Sequence, residues 1–182
     1  MKIIVFGASG SGTTTLAKSL ADHFNWPHLD ADDYYWAQTT IPFTVKVPLE
    51  TRNARLKQDV VTHPNVVVSG SLVTWSPYWN QAFDLGVFLK IPPEIRMDRL
   101  KKREIERYGQ LLQESEDQQK KTQEFLDWAA QYDDPTFEGR SITQHRRWIQ
   151  ALTCEVLELD GDFTNPVRMQ QVIDRIAQLD HK

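Results

Sequence analysis

The chain has 182 residues, 40% of them hydrophobic, with a formal net charge of -4. That length supports a single domain with a real core, and the acidic balance excludes a general nucleic-acid or membrane-surface binder. One cysteine, Cys154, excludes an internal disulfide framework and suits a reducing compartment; beside the Glu155–Leu159 stretch it reads as a structural thiol, and no Cys/His spacing suggests zinc.

Ile3–Phe6 form an apolar run of strand length that stops at Gly7. Ala8 to Gly12 are all small, which permits positive φ or close approach of another group to the backbone. From Thr14 onward, Leu16, Ala17 and Leu20 recur at helical spacing, so a helix is expected over roughly Thr13–Phe24. Strand, glycine loop and helix start, in that order, make a phosphate cradle. Consecutive N–H groups form a concave anion site, and the helix N-terminus adds partial positive charge. The spacing is Gly7-x-x-x-x-Gly12-Thr13-Thr14, against G-x-x-x-x-G-K-[ST], with threonine in the lysine position. The third glycine, Gly10, and the flanking elements favour phosphate binding over a turn that binds nothing. The candidate phosphate ligands are Gly7, Ser9, Gly10, Ser11, Gly12, Thr13, Thr14 and Thr15.

Next, Trp26–Leu29 leads into Asp30-Ala31-Asp32-Asp33, read as a short strand ending at the aspartates. Residues i and i+2 of an extended chain share a face, so Asp30 and Asp32 can both look into a cleft; the alternative is a helix N-cap cluster. Tyr34, Tyr35 and Trp36 open a Pro- and Thr-rich segment that runs to Pro48. A helix over Leu49–Thr62 puts Leu56, Val60 and Val61 on one side and stops at His63-Pro64. Val66–Val68 is a β-branched strand ending at Ser69-Gly70-Ser71, and Trp75, Tyr78 and Trp79 follow. Leu85–Ile91 is another strand, closed by Pro92-Pro93.

Glu94–Tyr108 reads as a charged helix. Its Arg96, Arg99, Arg103 and Arg107 follow at steps of three, four and four, which places them along one side. Residues 110–132 read as one long helix, ended by Asp133-Asp134-Pro135. Ser141–Leu152 is a shorter helix and Glu155–Leu159 the last strand. Asn165–Leu179 closes the chain, with Asn165-Pro166 as N-cap and first helical position.

Five strands alternating with helices predict an α/β fold with a parallel sheet and right-handed crossovers. In such folds the site lies at the strand C-terminal ends, here Gly7, Asp30/Asp32, Ser69-Gly70, Ile91 and Asp160-Gly161. One domain is expected over residues 1–182, with 104–147 as an inserted helical cover. The four apolar residues before Gly7 are too few for a signal-peptide core, and no 18-residue apolar run exists. A cytoplasmic location with no membrane or nucleic-acid partner is therefore expected.

Through Gly7–Thr15, the Asp30-x-Asp32 pair, the Arg99-x-x-x-Arg103 helix and the Asp160-Gly161 loop, the chain resembles the P-loop small-molecule and nucleotide kinases, the adenylate, cytidylate and shikimate kinase group. The resemblance implies a three-layer fold with sheet order 2-3-1-4-5, a mobile lid, and transfer of the ATP γ-phosphoryl group to a small acceptor, with ATP and Mg²⁺ as cofactors. It also implies roles: Gly161 beside the nucleotide, the Thr14 hydroxyl as a Mg²⁺ ligand, and Asp30 holding Mg²⁺ through water and touching substrate. Asp32 would orient or deprotonate the acceptor, and Arg99 and Arg103 would stabilise the transferring phosphoryl group.

Thr13 offers only a neutral hydroxyl in the lysine position, so positive charge must come from elsewhere. Lys18 reads as a surface residue. Arg99 and Arg103 are favoured over the solvated-face reading, while Arg96 and Arg107 stay open. Arg140, Arg146 and Arg147 form a second cationic cluster; one of the three is expected to reach inward, with the choice open, and Arg140 is the candidate substrate-binding residue among them. Ser69, not an aspartate, ends the third strand, and Asp84 lies at the wrong end of its strand.

For the acceptor, Tyr35 and Trp36 belong to an aromatic group (with Tyr34, Phe43, Trp75, Tyr78 and Trp79) able to stack a base. Arg52 or Arg55 could hold an acceptor phosphate; ordinary core packing is the alternative for the aromatics. The expected function is phosphoryl transfer to a nucleotide or nucleoside, by a monomer or homodimer. A nucleotide-binding regulatory sensor without efficient transfer is the second reading. An acceptor-free regulatory NTPase is a third, disfavoured by the lack of an N-K-x-D sequence.

Overall fold

The structure, a computed structural model, describes residues 1–180. Alternation along the first strand sets its layers. β1 (Lys2–Gly7) sends Ile3 and Val5 to one face and Ile4 and Phe6 to the other, all fully buried, as a period of two requires. The other strands are β2 (His28–Asp30), β3 (Val66–Ser69), β4 (Leu85–Lys90) and β5 (Glu155–Asp160). All pair in parallel, in the order β2-β3-β1-β4-β5, which is the sheet order expected. The helices are α1 (Thr13–Phe24), α2 (Ala31–Tyr35), α3 (Leu49–Thr62), α4 (Pro93–Tyr108), α5 (Leu111–Glu114), α6 (Glu116–Ala130), α7 (Ile142–Ala151) and α8 (Asn165–Asp180).

One sheet face buries Leu16, Ala17 and Leu20 of α1 and Val172 and Ile176 of α8 against Ile3, Val5, Val67, Val87 and Leu89. The opposite face packs Leu56 and Val60 of α3 and Trp148 and Leu152 from α7 and its end against Ile4, Phe6, Val68 and Phe88. Register then aligns the strand ends: Val5 lies beside Ser69, Ser69 beside Asp30, and Gly7 beside Leu89. The segments that leave β1, β2 and β3 therefore emerge along one edge of the sheet.

Several local expectations change. β2 ends at Asp30, and Asp32 lies in the first turn of α2. Asp30 caps that helix, its Oδ1 accepting from the Asp32 N–H at 3.0 Å, so the shared-face argument for an extended Asp30-Ala31-Asp32 gives way to the N-cap alternative. The single helix over 110–132 is broken at Ser115, whose backbone is extended (φ -122°, ψ 109°) and whose hydroxyl accepts from the Gln118 N–H at 3.2 Å. A serine cap followed by Glu116 and Asp117 starts a new helix there. A short 3₁₀ turn over Gln131–Asp133 follows α6.

In α3, Leu56 and Val60 are buried while Val61 is 58% exposed, since one residue further is 100° around the helix. β4 stops at Lys90, one residue before the expected Ile91. At α8 the Thr164 carbonyl already accepts from the Arg168 N–H at 3.1 Å, so Asn165 is the first helical residue and Pro166 the second. No helix among the described residues is long and apolar enough to cross a membrane.

Candidate active site

The loop after β1 turns through Gly10 (φ +81°) and Gly12 (φ +90°), conformations that L side chains rarely adopt. A Cβ at Gly10 would also stand 2.8 Å from the Arg96 carbonyl oxygen. Gly12 is the N-cap of α1, and no side chain caps the helix or places an acid in its first turn. By contrast, Asp30, Ser115 and Ser141 cap α2, α6 and α7 with their side chains. The first turn of α1 thus presents N–H groups that no side chain satisfies, the arrangement that takes an anion.

Within the loop, Ser11 is fully buried and donates both its N–H (3.2 Å) and its hydroxyl (2.8 Å) to the Ala8 carbonyl. Its side chain is occupied inside the loop. Thr13 and Thr14 are half-buried and Thr15 is exposed, as is Lys18.

Two polar groups meet beside the loop. Thr14 Oγ1 donates to Asp30 Oδ2 at 2.9 Å, so one Asp30 oxygen holds Thr14 while the other caps α2. Asp32 is exposed by surface area, yet the surrounding protein is dense enough to raise its carboxyl pKa through desolvation. The charge of Asp30 adds to the rise, and the guanidiniums of Arg140, Arg103 and Arg107 oppose it. Those arginines come from two separate segments and converge electrostatically on Asp32.

Arg140 also crosses to the loop, its Nη2 donating to Ser9 Oγ at 2.7 Å while its guanidinium lies 4.9 Å from the Trp128 ring. Arg103 rests over Phe125 at 5.6 Å and beside Glu104 at 3.7 Å. Burial pushes the pKa values of Arg103 and Arg140 below the ordinary arginine value. The Nε atoms of both are buried without a hydrogen-bond partner.

The expected acceptor residues form an adjoining wall. The Arg52 guanidinium stacks 4.1 Å from the Tyr35 ring and 4.7 Å from Trp75, and its Nε is buried and unpartnered. Tyr35 packs edge-on to Trp36 at 4.7 Å, and Trp36 meets Phe43 at 6.0 Å. Arg107 covers Phe43 at 4.0 Å, which ties the 37–46 loop to α4. Tyr34, Trp75 and Trp79 are core residues and Tyr78 lies partly buried under Lys57 at 4.3 Å, which leaves Tyr35, Trp36 and Phe43 as the wall between Arg52 and Arg107.

The four α4 arginines do not share one destination. Arg96 is 1% exposed and turns inward, to the Ile91 carbonyl (3.3 Å), the Ser9 carbonyl (3.5 Å) and Asp133 (2.5 Å). Arg99 is held by Asp162 at 2.5 Å, beside Gly161 and away from Asp32. Arg103 and Arg107 act on Asp32. Steps of three and four keep backbone positions on one side, but long side chains diverge over eleven residues of helix.

In the second cluster Arg146 pairs with Glu158 at 2.5 Å and Arg147 is exposed, which leaves Arg140 as the residue that turns inward. Ser69 is buried on His28 Nε2 at 2.9 Å, and Asp84 binds the Lys2 N–H at the far end of the sheet. Burial pushes the Cys154 thiol pKa up, which keeps it protonated.

Sequence reasoning left Arg96 open and passed over Arg168 and His145. Arg168 is 4% exposed, its Nη1 donating to the Ser11 carbonyl at 3.1 Å and its Nη2 to the Gly161 carbonyl at 3.4 Å. His145 is fully buried, bonded through Nε2 to Ser71 Oγ (2.8 Å) and through Nδ1 to Tyr132 Oη (2.7 Å). Burial, with Arg140 adding, brings the His145 pKa down to about 3. Arg96 could have been found from its place just after the end of β4. Arg168 and His145 depend on contacts 157 and 74 residues apart, for which the sequence holds no signal.

Among the described residues no group of three or more His, Cys, Asp or Glu could form a metal cage. The donor set at Thr14 and Asp30 fits Mg²⁺ instead, a hard cation that takes one or two protein oxygens and keeps its waters. The uncapped α1 start and the unpartnered Nε atoms of Arg103 and Arg140 suit the phosphates of a nucleotide.

Residues 3–122 match the family model described as AAA domain. The chain is 35% identical to an uncharacterized protein of Bacillus subtilis, YqaC, over 96% of this chain and 97% of that one. It is 28% identical to the cytidylate kinase of Haloarcula marismortui, over 63% of this chain and 65% of that one, so it spans slightly less than two thirds of that relative's length. Among solved structures, shikimate kinase from Acinetobacter baumannii in complex with shikimate aligns at TM-score 0.58 and 16% identity, over 100% of this chain and 95% of that one. Deoxyadenosine kinase from M. mycoides aligns at TM-score 0.55 and 14% identity, over 98% and 100%. At those identities the structures share the fold. The phosphate loop and the domain match over residues 3–122 place the chain in the AAA domain family, and the relatives it resembles include P-loop nucleotide and small-molecule kinases.

Proposed function

We propose that this protein is an ATP-dependent phosphotransferase that moves the γ-phosphoryl group to a hydroxyl or phosphate of a small acceptor, a nucleotide or nucleoside. The observation that carries this reading is the uncapped start of α1 behind the phosphate loop, with Thr14 bonded to Asp30 and Arg140 bonded to Ser9 beside it.

The loop amides from Gly10 to Thr15 bind the β- and γ-phosphate oxygens. Thr14 and Asp30, already 2.9 Å apart, are the residues that would hold Mg²⁺. Bound there, the ion would neutralise charge on the phosphate oxygens. Asp32 orients the acceptor and takes its hydroxyl proton on a carboxylate oxygen. Its raised pKa makes it a stronger base than an ordinary aspartate, and the facing arginines keep its ionised form accessible. Arg103 and Arg140 meet the negative charge that develops on the transferring group.

On the acceptor side, Tyr35 and Trp36 offer planar faces and the stacked Arg52 guanidinium offers an anion partner. Arg99 and Gly161 belong to the nucleotide side, through Asp162. Residues 104–147 act as the lid, carrying Arg107, Trp128 and Arg140 over the cleft and excluding water.

ADP release from Mg²⁺-ATP, measured alone and then with nucleoside monophosphates, nucleosides and small hydroxylated metabolites, tests the proposal. Strong stimulation by one acceptor is the expected result and names the substrate. ATP binding without stimulated turnover would instead support the nucleotide sensor, and no ATP binding would overturn the phosphate-loop reading itself.

A further inference from the structure

A phosphate loop with Thr13 in the lysine position needs a cation, and the structure holds one behind the loop. Arg168 comes from α8, 157 residues away in sequence from Ser11, whose carbonyl its Nη1 approaches at 3.1 Å. The head group is almost wholly enclosed, with a side chain 5% exposed. Its second nitrogen donates to the Gly161 carbonyl at 3.4 Å and lies 3.6 Å from Asp162, which also holds Arg99. The position where a Gly12 Cβ would stand is 3.2 Å from Arg168 Nη1. Glycine at 12 is required for its φ of +90°, and the guanidinium packs close against it.

A trans peptide points its C=O and N–H in opposite directions. With the Ser11 carbonyl fixed on Arg168, the Gly12 N–H of the same peptide unit faces away from Arg168. A cation bonded to the carbonyl polarises that unit and strengthens its N–H as a donor. Low dielectric around the buried guanidinium strengthens its field.

We propose that Arg168 is the positioning residue that replaces the missing lysine: it supplies the loop's fixed positive charge from behind, through the Ser11–Gly12 peptide, and aims the Gly12 N–H at the phosphates of the bound nucleotide. The proposal rests on the phosphate loop of the kinase reading, not on transfer itself. Because Arg168 acts through the loop backbone and stays in place throughout, it serves ground state and transition state alike. It therefore sets the affinity for the polyphosphate, and turnover at saturation stays close to wild type.

The experiment measures calorimetric binding of ATP and of inorganic tripolyphosphate to wild type, Arg168→Met, Arg168→Lys, Thr13→Lys and the Thr13→Lys/Arg168→Met double variant. Losing a charge-assisted hydrogen bond of this kind weakens both ligands about 10- to 100-fold in Arg168→Met. The KM for ATP rises in proportion, and kcat for any acceptor found stays within about threefold. Arg168→Lys, which keeps the charge but cannot reach both carbonyls, falls between. Thr13→Lys in the double variant recovers most of the lost affinity, which a purely structural role would not allow.

Should Arg168→Met fail to fold, Arg168→Lys decides, through the tripolyphosphate-induced shift of the Gly12 amide resonance; a shift equal to wild type overturns the proposal. Wild-type affinity in Arg168→Met, or a loss that Thr13→Lys does not recover, overturns it as well. A wild-type protein that binds tripolyphosphate but transfers to no acceptor sinks the kinase reading and leaves this one standing. A wild-type protein that binds neither ligand overturns both.

Discussion

Asp32 stands under opposing electrostatic influences, and the balance makes its two contributions separable. Desolvation and Asp30 raise its folded pKa above the ordinary 3.8, against three arginines. A raised folded value means that the carboxyl adds stability below pH 3.8 and loses it as pH rises through the folded pKa. At neutral pH the ionised Asp32 is therefore a burden on the fold. Asp32→Asn, which keeps the shape of the neutral form, should raise the melting temperature at pH 7 while lowering kcat by about 10²- to 10⁴-fold. Melting curves of both proteins from pH 4 to 8 should diverge with rising pH; a variant that melts lower at pH 7 would contradict the role of desolvation. Arg103 tests the other partner. Its guanidinium faces Asp32 without a partner for Nε, so Arg103→Ala should reduce kcat by about 10²- to 10³-fold and change ATP affinity less than about threefold. Unchanged turnover would remove Arg103 from the mechanism.

Elements made by local pattern were legible in the sequence, and those made by distant contacts were not. The 3.6-residue recurrence of Leu16, Ala17 and Leu20 gives α1 the bounds expected, Thr13–Phe24, and apolar runs give β1, β3 and β4. The break at Ser115 was also written locally, since Ser115-x-x-Gln118 is a capping-box spacing; the apolar residues further along outweighed it. Nothing local, however, announces that His145 of α7 reaches Ser71 beyond β3 and Tyr132 of the turn after α6. That chain of hydrogen bonds joins the sheet edge to the segment that carries Arg140. Its folded pKa of about 3 lies below the ordinary 6.5, so the unfolded chain takes up the proton first. His145 therefore favours the fold fully above pH 6.5 and progressively less as pH falls towards 3. His145→Gln should lose about 2–4 kcal/mol of stability at pH 7.5, from two buried hydrogen bonds. It should also flatten the decline between pH 6.5 and 4. Urea midpoints across that range measure both effects, and an unchanged slope would show that another group carries the acid sensitivity.

The molecule as a whole is acidic, at -4, yet it collects Arg96, Arg140 and Arg168 around one loop, with Arg103 acting on the adjoining Asp32. Folding concentrates positive charge there against the average, and anionic ligands are drawn to it. The cover over that charge is weakly rooted. α5 buries no residue, and α6 buries only Gln118, Thr122 and Ala129, so apolar packing contributes little to holding it shut. Its ties to the loop are polar: Arg140 to Ser9 Oγ at 2.7 Å, and Asp133 to Arg96, which reaches the Ser9 carbonyl at 3.5 Å. Segments of this kind open locally at low free energy, and a phosphate chain between Arg140 and Arg103 would replace one hydroxyl partner by several charged oxygens. Mg²⁺-ATP at about 100 times its Kd should add about 2.7 kcal/mol of stability, or about 5–10 °C in melting temperature for a chain of this size. The gain in amide-exchange protection should fall mainly on residues 111–140, with little change in β1, β3 and β4. Arg140→Met should keep the added protection in α1 and lose it in 111–140, because the phosphate then grips the loop but no longer the cover. Equal protection of both regions in that variant would mean that the helices over the cleft are a fixed wall and that Arg140 does not close them.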